Sequence, residues 1–368
     1  MTTSTPTVKL DYSQANIADE LQPPMLSLQI LLDSGKEVYD YCADNVIINS
    51  ETTIVIASTT PISDLPNTGF NTVINLAKVN NFRYINKFFE SVNKKLKTGD
   101  TFIGCFETLA ARTERHKFNK IPVISTIYFA VEFIFRRVFP KVYGLKKIYF
   151  FISKGRNRLL SKAEVLGRLV CCGFEIINFK HINGLTYFVV KKVKDPIFDM
   201  KPSYGPLYRM PRLGKNGKQI GVYKFRTMHP YAEYLQDYIL KTYGYAPTGK
   251  PANDFRLTPW GVFMRKLWLD ELPQLINLMK GDLKLVGIRP VGKRYMQDIP
   301  KDLQAMRLTQ KPGCIPPYVA LNRKSDVLSV QNAEREYLEE KLKHPYTTDT
   351  KYFFRALYNI IIKCKRSA

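Results

Sequence analysis

The longest apolar run, Ile121 to Phe135, is interrupted only by Ser125, Thr126 and Glu132. As a helix it reaches about 22 Å, short of the roughly 30 Å hydrocarbon core of a bilayer. Arg136 and Arg137 close it, and Pro140 breaks any continuation of the helix. A second aromatic run, Ile148 to Ile152, comes after the basic pair Lys146-Lys147. The longer run is therefore not expected to span. Residues 121–152 suit a segment lying in one leaflet, with its cationic side chains reaching to the headgroups. A buried core helix carrying one glutamate is the alternative.

The 368 residues exceed one ordinary compact core and suit two domains. The net charge of +24 calls for a polyanionic neighbour: nucleic acid, an anionic membrane face or a phosphorylated substrate. The excess lies downstream, because the first fifty residues carry only Lys9 and Lys36 against seven acids. Six cysteines without CxxC spacing and four scattered histidines argue against structural zinc. Met1-Thr-Thr-Ser-Thr-Pro lacks a basic stretch before an apolar run, so no signal peptide is expected and a cytosolic chain with reduced thiols is.

From Asn71 to Lys194 helical and extended patterns alternate. A helix is predicted over Tyr84–Leu96, a strand over Thr101–Cys105, a helix over Ser161–Cys172, and strands over Phe174–Phe179 and Leu185–Lys191. Ser161 with Glu164 forms a capping-box pattern, and Gly173 stands where a C-terminal glycine belongs. This is α/β patterning.

The second half carries the candidate chemistry. Tyr208 to Lys218 reads as a hairpin turning at Asn216-Gly217, with a returning strand over Ile220–Met228 that puts Lys224 and Arg226 on one face. Two cations on a rigid strand suit a diphosphate, although an exposed edge strand has the same look. Thr258 is placed to cap a helix that begins at Pro259. Leu269-Asp-Glu-Leu-Pro-Gln-Leu then sets Asp270 and Glu271 at the N-terminal edge of a helix whose Leu272, Leu275, Ile276, Leu278 and Met279 form an apolar face, expected to be buried. Adjacent carboxylates beside a diphosphate suit Mg²⁺; acids that merely favour a helix start are the alternative. Arg289, stiffened by Pro290 at a strand end, is a further phosphate anchor.

In order along the chain, Gly214-Lys-Asn-Gly-Lys, Lys224-Phe-Arg-Thr-Met, Asp254-Phe-Arg-Leu-Thr, Arg265-Lys, Leu269-Asp-Glu-Leu-Pro-Gln-Leu, Lys280-Gly-Asp-Leu, Gly287-Ile-Arg-Pro and Pro312-Gly313 resemble the bacterial sugar transferases, which are monotopic phosphoglycosyltransferases. The resemblance implies transfer of a sugar-1-phosphate from a nucleotide diphosphate sugar, expected to be a UDP-sugar, to polyprenyl phosphate. Asp270 would be the nucleophile, Glu271 would help hold Mg²⁺, and Lys224, Arg226, Arg256, Arg265, Arg289 and Pro290 would contact the substrate. Asn71-Thr-Val-Ile-Asn-Leu, Phe102-Ile-Gly and Leu160 to Glu175 resemble the later half of class I methyltransferase folds, without a glycine-rich cofactor turn.

The fold expected is therefore an α/β N-terminal Rossmann-like domain plus an α+β monotopic phosphoglycosyltransferase catalytic domain. Its parts are a variable segment over 1–70, the Rossmann-like domain over 71–194 with the insertion 121–152, the catalytic domain over 204–345 and a basic amphipathic helix over 346–368. The expected partners are the nucleotide diphosphate sugar, polyprenyl phosphate and the cytosolic leaflet of the bacterial inner membrane. No nucleic-acid reader motif is present and none is expected as partner. The sequence departs from the family before the hairpin, where no membrane helix stands, and after Pro312-Gly313, where Cys314-Ile-Pro-Pro-Tyr replaces the usual Thr-Gly-Trp stretch. The competing reading is a basic, catalytically inactive membrane-associated scaffold derived from such an enzyme.

Overall fold

The computed structural model describes residues 23–59, 69–115, 122–142, 144–198, 205–244 and 251–363. It divides into two compact units, residues 1–160 with 168–198 and residues 161–167 with 199–368. His116, Cys364 and the linker residues 199–204 lie outside the described residues.

The first unit is built on a five-stranded sheet of order β1-β2-β3-β5-β4. Strands β1 (Thr53–Ile56), β2 (Thr72–Lys78) and β3 (Thr101–Phe106) are parallel, and the hairpin of β4 (Phe174–Ile182) and β5 (Leu185–Lys192) adds antiparallel to β3. Every residue of β3 is buried, as a strand covered on both faces must be. One face packs against helices α1 (Pro23–Ser34) and α2 (Lys36–Ala43), through Ile30, Val38 and Cys42 against Ile74, Ile103 and Val189. On the other face α3 (Ile85–Lys95) sets Phe88 and Phe89 edge-on to Phe102. Gly104 is needed here, because a Cβ would stand 2.6 Å from the Phe188 ring.

The sheet begins earlier than the boundary at Asn71 predicted. Thr53 to Ile56 pair with Thr72 to Asn75, so residues 23–59 contribute two helices and an edge strand rather than a variable leader. A four-residue strand with three apolar side chains is too short a signal to be read from sequence.

Helices α4 (Leu109–Arg115), α5 (Pro122–Phe133) and α6 (Leu145–Ser153) follow β3, with a π-helical turn over Ile134–Val138. Their polarity is inverted. Glu132 and Arg137 are buried, whereas Val123, Ile127, Val131, Ile148, Phe151 and Ile152 are exposed. Arg112 holds Glu132 at 2.7 Å, Arg136 donates to the Asn157 carbonyl and Arg137 to that of Leu159. No described helix is long and apolar enough to cross a membrane. Helix α7 (Lys162–Cys171) contributes residues to both units, and Ser161 caps it by accepting from the Glu164 amide at 3.2 Å.

The second unit holds the hairpin of β6 (Leu207–Leu213) and β7 (Gln219–Phe225), and a parallel pair β8 (Lys284–Val286) and β9 (Gly313–Ile315). Around them run α8 (Gln236–Tyr243), α9 (Pro259–Lys266), α10 (Gln274–Met279), α11 (Lys293–Gln297), α12 (Lys301–Leu308), α13 (Pro317–Ala320), α14 (Val327–Lys343) and α15 (Thr348–Ile361). Its core gathers Ile288, Leu303, Tyr318, Ala333, Tyr337 and Tyr352. Helix α15 belongs to this core, with Tyr352 and Ala356 fully buried, and exposes Phe354, Tyr358, Ile361 and Ile362 on its other side.

Candidate active site

The hairpin turns where Asn216 and Gly217 adopt positive φ, 56° and 74°, which is the conformation this pair tolerates best. Its returning strand stops at Phe225, three residues before the predicted end. Thr227 instead offers its carbonyl to the Thr258 amide at 3.0 Å. The Thr258 hydroxyl donates to that same carbonyl at 2.9 Å and accepts from the Gly261 amide at 3.0 Å, which caps α9. A Cβ at Gly261 would lie 2.1 Å from the Thr227 oxygen, so only glycine lets the helix approach this closely. Arg265, in the last turn of α9, then donates from Nε to the Thr227 hydroxyl at 2.9 Å.

Helix α10 is fixed to β7 by a side chain acting as a strand partner. Asn277, fully buried, accepts from the Tyr223 amide at 2.9 Å and donates to the Gly221 carbonyl at 2.7 Å. Locking α10 to β7 brings Lys224 opposite the acids: its ammonium lies 2.6 Å from Glu271 Oε1, and Gln274 donates to Glu271 Oε2 at 3.0 Å. Asp270 and Glu271 sit in a 3₁₀ turn, Leu269–Glu271, entered through Trp268 at φ 60°. The left-handed region is uncommon for a bulky residue and disfavoured by roughly 1–3 kcal/mol. The strain falls on the residue that introduces the acid pair.

Asp270 is 8% exposed. Burial pushes its carboxyl above the ordinary aspartate range, Lys224 pulls it down, the neighbouring Glu271 pushes it up again and Arg265 opposes. An acid held this way is desolvated yet bracketed by two cations, the condition for a carboxylate that is both ionised and reactive.

The other predicted side chains divide by surroundings. Arg256 is 3% exposed and committed, through Nε and Nη2 to Asp254 at 2.8 Å each and through Nη1 to Gln236 at 2.6 Å. Arg226 donates to the Gly205 carbonyl at 3.1 Å and lies 5.0 Å over the Tyr208 ring. Arg289 and Pro290 are half-buried beyond β8, and the Arg289 guanidinium makes no ion pair among the described residues. Sequence reasoning missed Gln274, Asn277 and Thr227. Their spacing inside the polar face of α10 and at the end of β7 is a signal only once those elements are known to touch.

The apolar face expected to be buried at α10 is largely turned outward, with Ile276 and Leu278 half-buried. Leu272, Leu275 and Met279 are exposed, the last at 81%, whereas Gln274 and Asn277 are the buried side chains. Trp260, Val262, Phe263 and Leu267 on and after α9 are exposed as well. An apolar stripe does not by itself say which solvent it faces, and here the polar side chains are the ones with partners inside.

Among the described residues no three His, Cys, Asp or Glu side chains gather as a metal cage. Mg²⁺ rarely uses one; it takes one or two carboxylates and completes its shell with water and substrate phosphates. Asp270 and Glu271 are the adjacent carboxylates that could contribute to such a shell, with Glu271 here bonded to Lys224 and Gln274.

Residues 196–363 match the family model described as bacterial sugar transferase. An uncharacterized sugar transferase of Haemophilus influenzae is 36% identical over 165 residues, 42% of this chain and 32% of the relative. The uncharacterized sugar transferase EpsL of Bacillus subtilis is 36% identical over 146 residues, 39% of this chain and 58% of the relative. An undecaprenyl-phosphate galactose phosphotransferase of Salmonella typhimurium is 40% identical over 119 residues, 30% of this chain and 24% of the relative. The chain thus spans less than two thirds of the length of each. The matched segment, just under half of the chain, contains the whole Lys224, Arg265, Asp270 and Glu271 constellation, and through it this chain's second unit is similar to the bacterial sugar transferases.

Proposed function

We propose that the second unit transfers a sugar-1-phosphate from a nucleotide diphosphate sugar to polyprenyl phosphate through a phosphosugar held on Asp270, opening the assembly of a surface glycan. The observation that carries this reading is the desolvated Asp270 carboxylate beside the Lys224–Glu271 pair, with Arg265 braced on Thr227. The relatives of Salmonella typhimurium, Erwinia amylovora and Aeromonas hydrophila, named for transfer to undecaprenyl phosphate or a lipid carrier, support the substrate classes.

In the first step an Asp270 oxygen attacks the phosphorus bonded to the sugar, and the bond from that phosphorus to the leaving nucleoside monophosphate breaks. In the second, a phosphate oxygen of the lipid attacks the same phosphorus, and the bond to Asp270 breaks, returning the carboxylate. Lys224 and Arg265 stabilise charge on the transferring phosphoryl group, and positioning supplies much of the rest. Asp270 and Glu271 are the residues that would hold Mg²⁺, which would supply neutralisation of the diphosphate charge. The donor is expected to be a UDP-sugar.

The acceptor is a lipid, and the exposed Trp260, Phe263, Leu267, Leu272, Leu275 and Met279 belong to the elements that carry Arg265 and the acids. Buried inside a bilayer headgroup region, that surface sets the site at the depth of the acceptor phosphate. In the first unit the outward apolar side chains of α5 and α6 form a second lipid-facing surface. Both are read as meeting the cytosolic leaflet, whose anionic headgroups complement the +24 charge.

Incubating the full chain with donor labelled in the sugar-bearing phosphate, without acceptor, tests the reading. Label should attach to the protein, leave on addition of polyprenyl phosphate, and fail to attach to Asp270→Asn. Transfer undiminished in that variant, or absent in the unaltered chain, overturns it.

A further inference from the structure

Glu334 on α14 and Arg307 on α12 are both buried, at 1% and 4% exposure, and their side chains form an ion pair through Glu334 Oε2 and Arg307 Nη1. The second carboxylate oxygen and the second terminal guanidinium nitrogen of the pair turn to one residue. Glu334 Oε1 accepts the Arg289 amide at 3.0 Å, and Arg307 Nη2 donates to the Arg289 carbonyl at 2.7 Å. The two elements of a buried charge pair therefore close a ring around one peptide segment, gripping its donor and its acceptor together. Pro290 restricts the same segment from the following position.

A buried ion pair is a poor device for stability alone, because desolvation offsets its attraction. What this pair accomplishes is orientation. The Arg289 guanidinium is left without an ion-pair partner among the described residues. Its neighbour Arg212, at the end of β6, donates among the described residues to its own strand, to the Pro211 carbonyl and the Met210 sulfur. The Leu213 amide bonds the Val291 carbonyl at 2.9 Å, which ties the end of β6 to the segment that carries Arg289. Burial, and then the proximity of Arg289, weaken the hold of Arg212 on its proton, as they do for two cations brought near one another at one corner. Such a corner is completed by an anion.

We infer that Glu334 and Arg307 are positioning residues that clamp the Arg289 backbone, so that its guanidinium, with that of Arg212, holds a phosphate of a substrate. The kinetic half of this rests on the transferase reading; the clamp itself does not. Donor diphosphate and lipid phosphate share the chemistry, and the experiment separates them.

Hydrogen exchange on the full chain tests the clamp. In Glu334→Gln, exchange of the Arg289 amide should speed by about tenfold, the effect expected for losing one charge-assisted hydrogen bond, and in Arg307→Lys it should speed as well because Glu334 loses the cation that holds it, while amides of β6 and β7 keep their rates. Unchanged exchange at Arg289 overturns the clamp, whether or not the chain transfers sugar phosphate. For the phosphate, KM is measured separately for nucleotide sugar and for polyprenyl phosphate. Glu334→Gln should raise one of them by about tenfold with kcat largely kept, and the one raised names the phosphate. In an Arg289→Ala background Glu334→Gln should add nothing further. An equal loss in both backgrounds means that the pair acts through general stability, and the positioning role falls.

Discussion

The Lys224 ammonium meets Glu271 Oε1 at 2.6 Å across 47 residues of sequence, and the same cation is the strongest influence holding the Asp270 carboxyl down against its burial. Replacing Lys224 by Met removes that influence and leaves burial and Glu271 to push Asp270 further up. The acid limb of the pH profile for transfer should therefore move to higher pH, with the maximal rate lower by about a hundredfold, as for loss of one preorganised cation or donor. Lys224→Arg should keep the limb nearly in place. A pH–rate profile of the three proteins decides it.

Asp270 itself should cost the fold stability. Its folded-state pKa is raised, so the native state binds the proton more tightly than the unfolded chain does. Stability is then lost as pH rises from the ordinary aspartate value, near about 4, through the raised one. Asp270→Asn removes the ionisation: it should melt higher than the unaltered protein at neutral pH and converge with it in acid, while transfer falls to background. Melting curves at acid and neutral pH check the sign.

Thr258→Ala breaks the latch between β7 and α9. Two hydrogen bonds of a fully buried hydroxyl go at once, and a cap of this kind is worth about 1–2 kcal/mol. Denaturant unfolding should show the loss without a change in slope, and Thr258→Ser should recover most of it. Because Arg265 hangs on the same helix, activity should fall in the alanine variant by more than stability accounts for.

Capping at Ser161 and Thr258 and the Asn216-Gly217 turn are legible in the sequence because each is settled within four residues of chain. The acids are legible as a pair. Their company is not, since Lys224 reaches Glu271 only after Asn277 has replaced a missing strand neighbour of β7. Nor does sequence distinguish Arg256, committed to Asp254 and Gln236, from Arg265, braced beside Asp270. The faces of α5 and α10 are as apolar as their spacing predicts, but α10 turns its face opposite to the expected direction. Periodicity reports that a face avoids water, and lipid satisfies it as well as a core does.

That inversion can be measured. Phe263, Leu275 and Met279 are exposed, so changing them to Ser should alter folding stability by less than about 0.5 kcal/mol each. Each should nonetheless weaken partition into anionic vesicles, because burying such a side chain is worth about 1.5–3 kcal/mol. Losses of stability comparable to a core truncation would place these residues against protein instead.

The corresponding latch in the first unit is Arg112, whose side chain reaches Glu132 at 2.7 Å and Glu107 at 3.4 Å, all three being largely withdrawn from water. Glu132 is the one buried carboxylate on α5, and it anchors a helix whose apolar residues face outward. Removing it strands part of the Arg112 charge, at a cost of about 3 kcal/mol for breaking a buried pair. Glu132 also meets Arg136 at 3.2 Å, so Glu132→Ala should free two cations, the more exposed of which regains water. Arg112→Met takes a partner from two carboxylates and should cost more, although Glu132 keeps Arg136 at 3.2 Å and Glu107 keeps Lys78 at 3.7 Å and an ion pair to Arg115. Replacing both Arg112 and Glu132 by Met should recover part of the loss, since an apolar pair fills the space without desolvated charge. Equal costs for Arg112→Met and Glu132→Ala would mean that Glu107 is sustained by Lys78 and Arg115 alone, and that Arg112 serves α5 and nothing else.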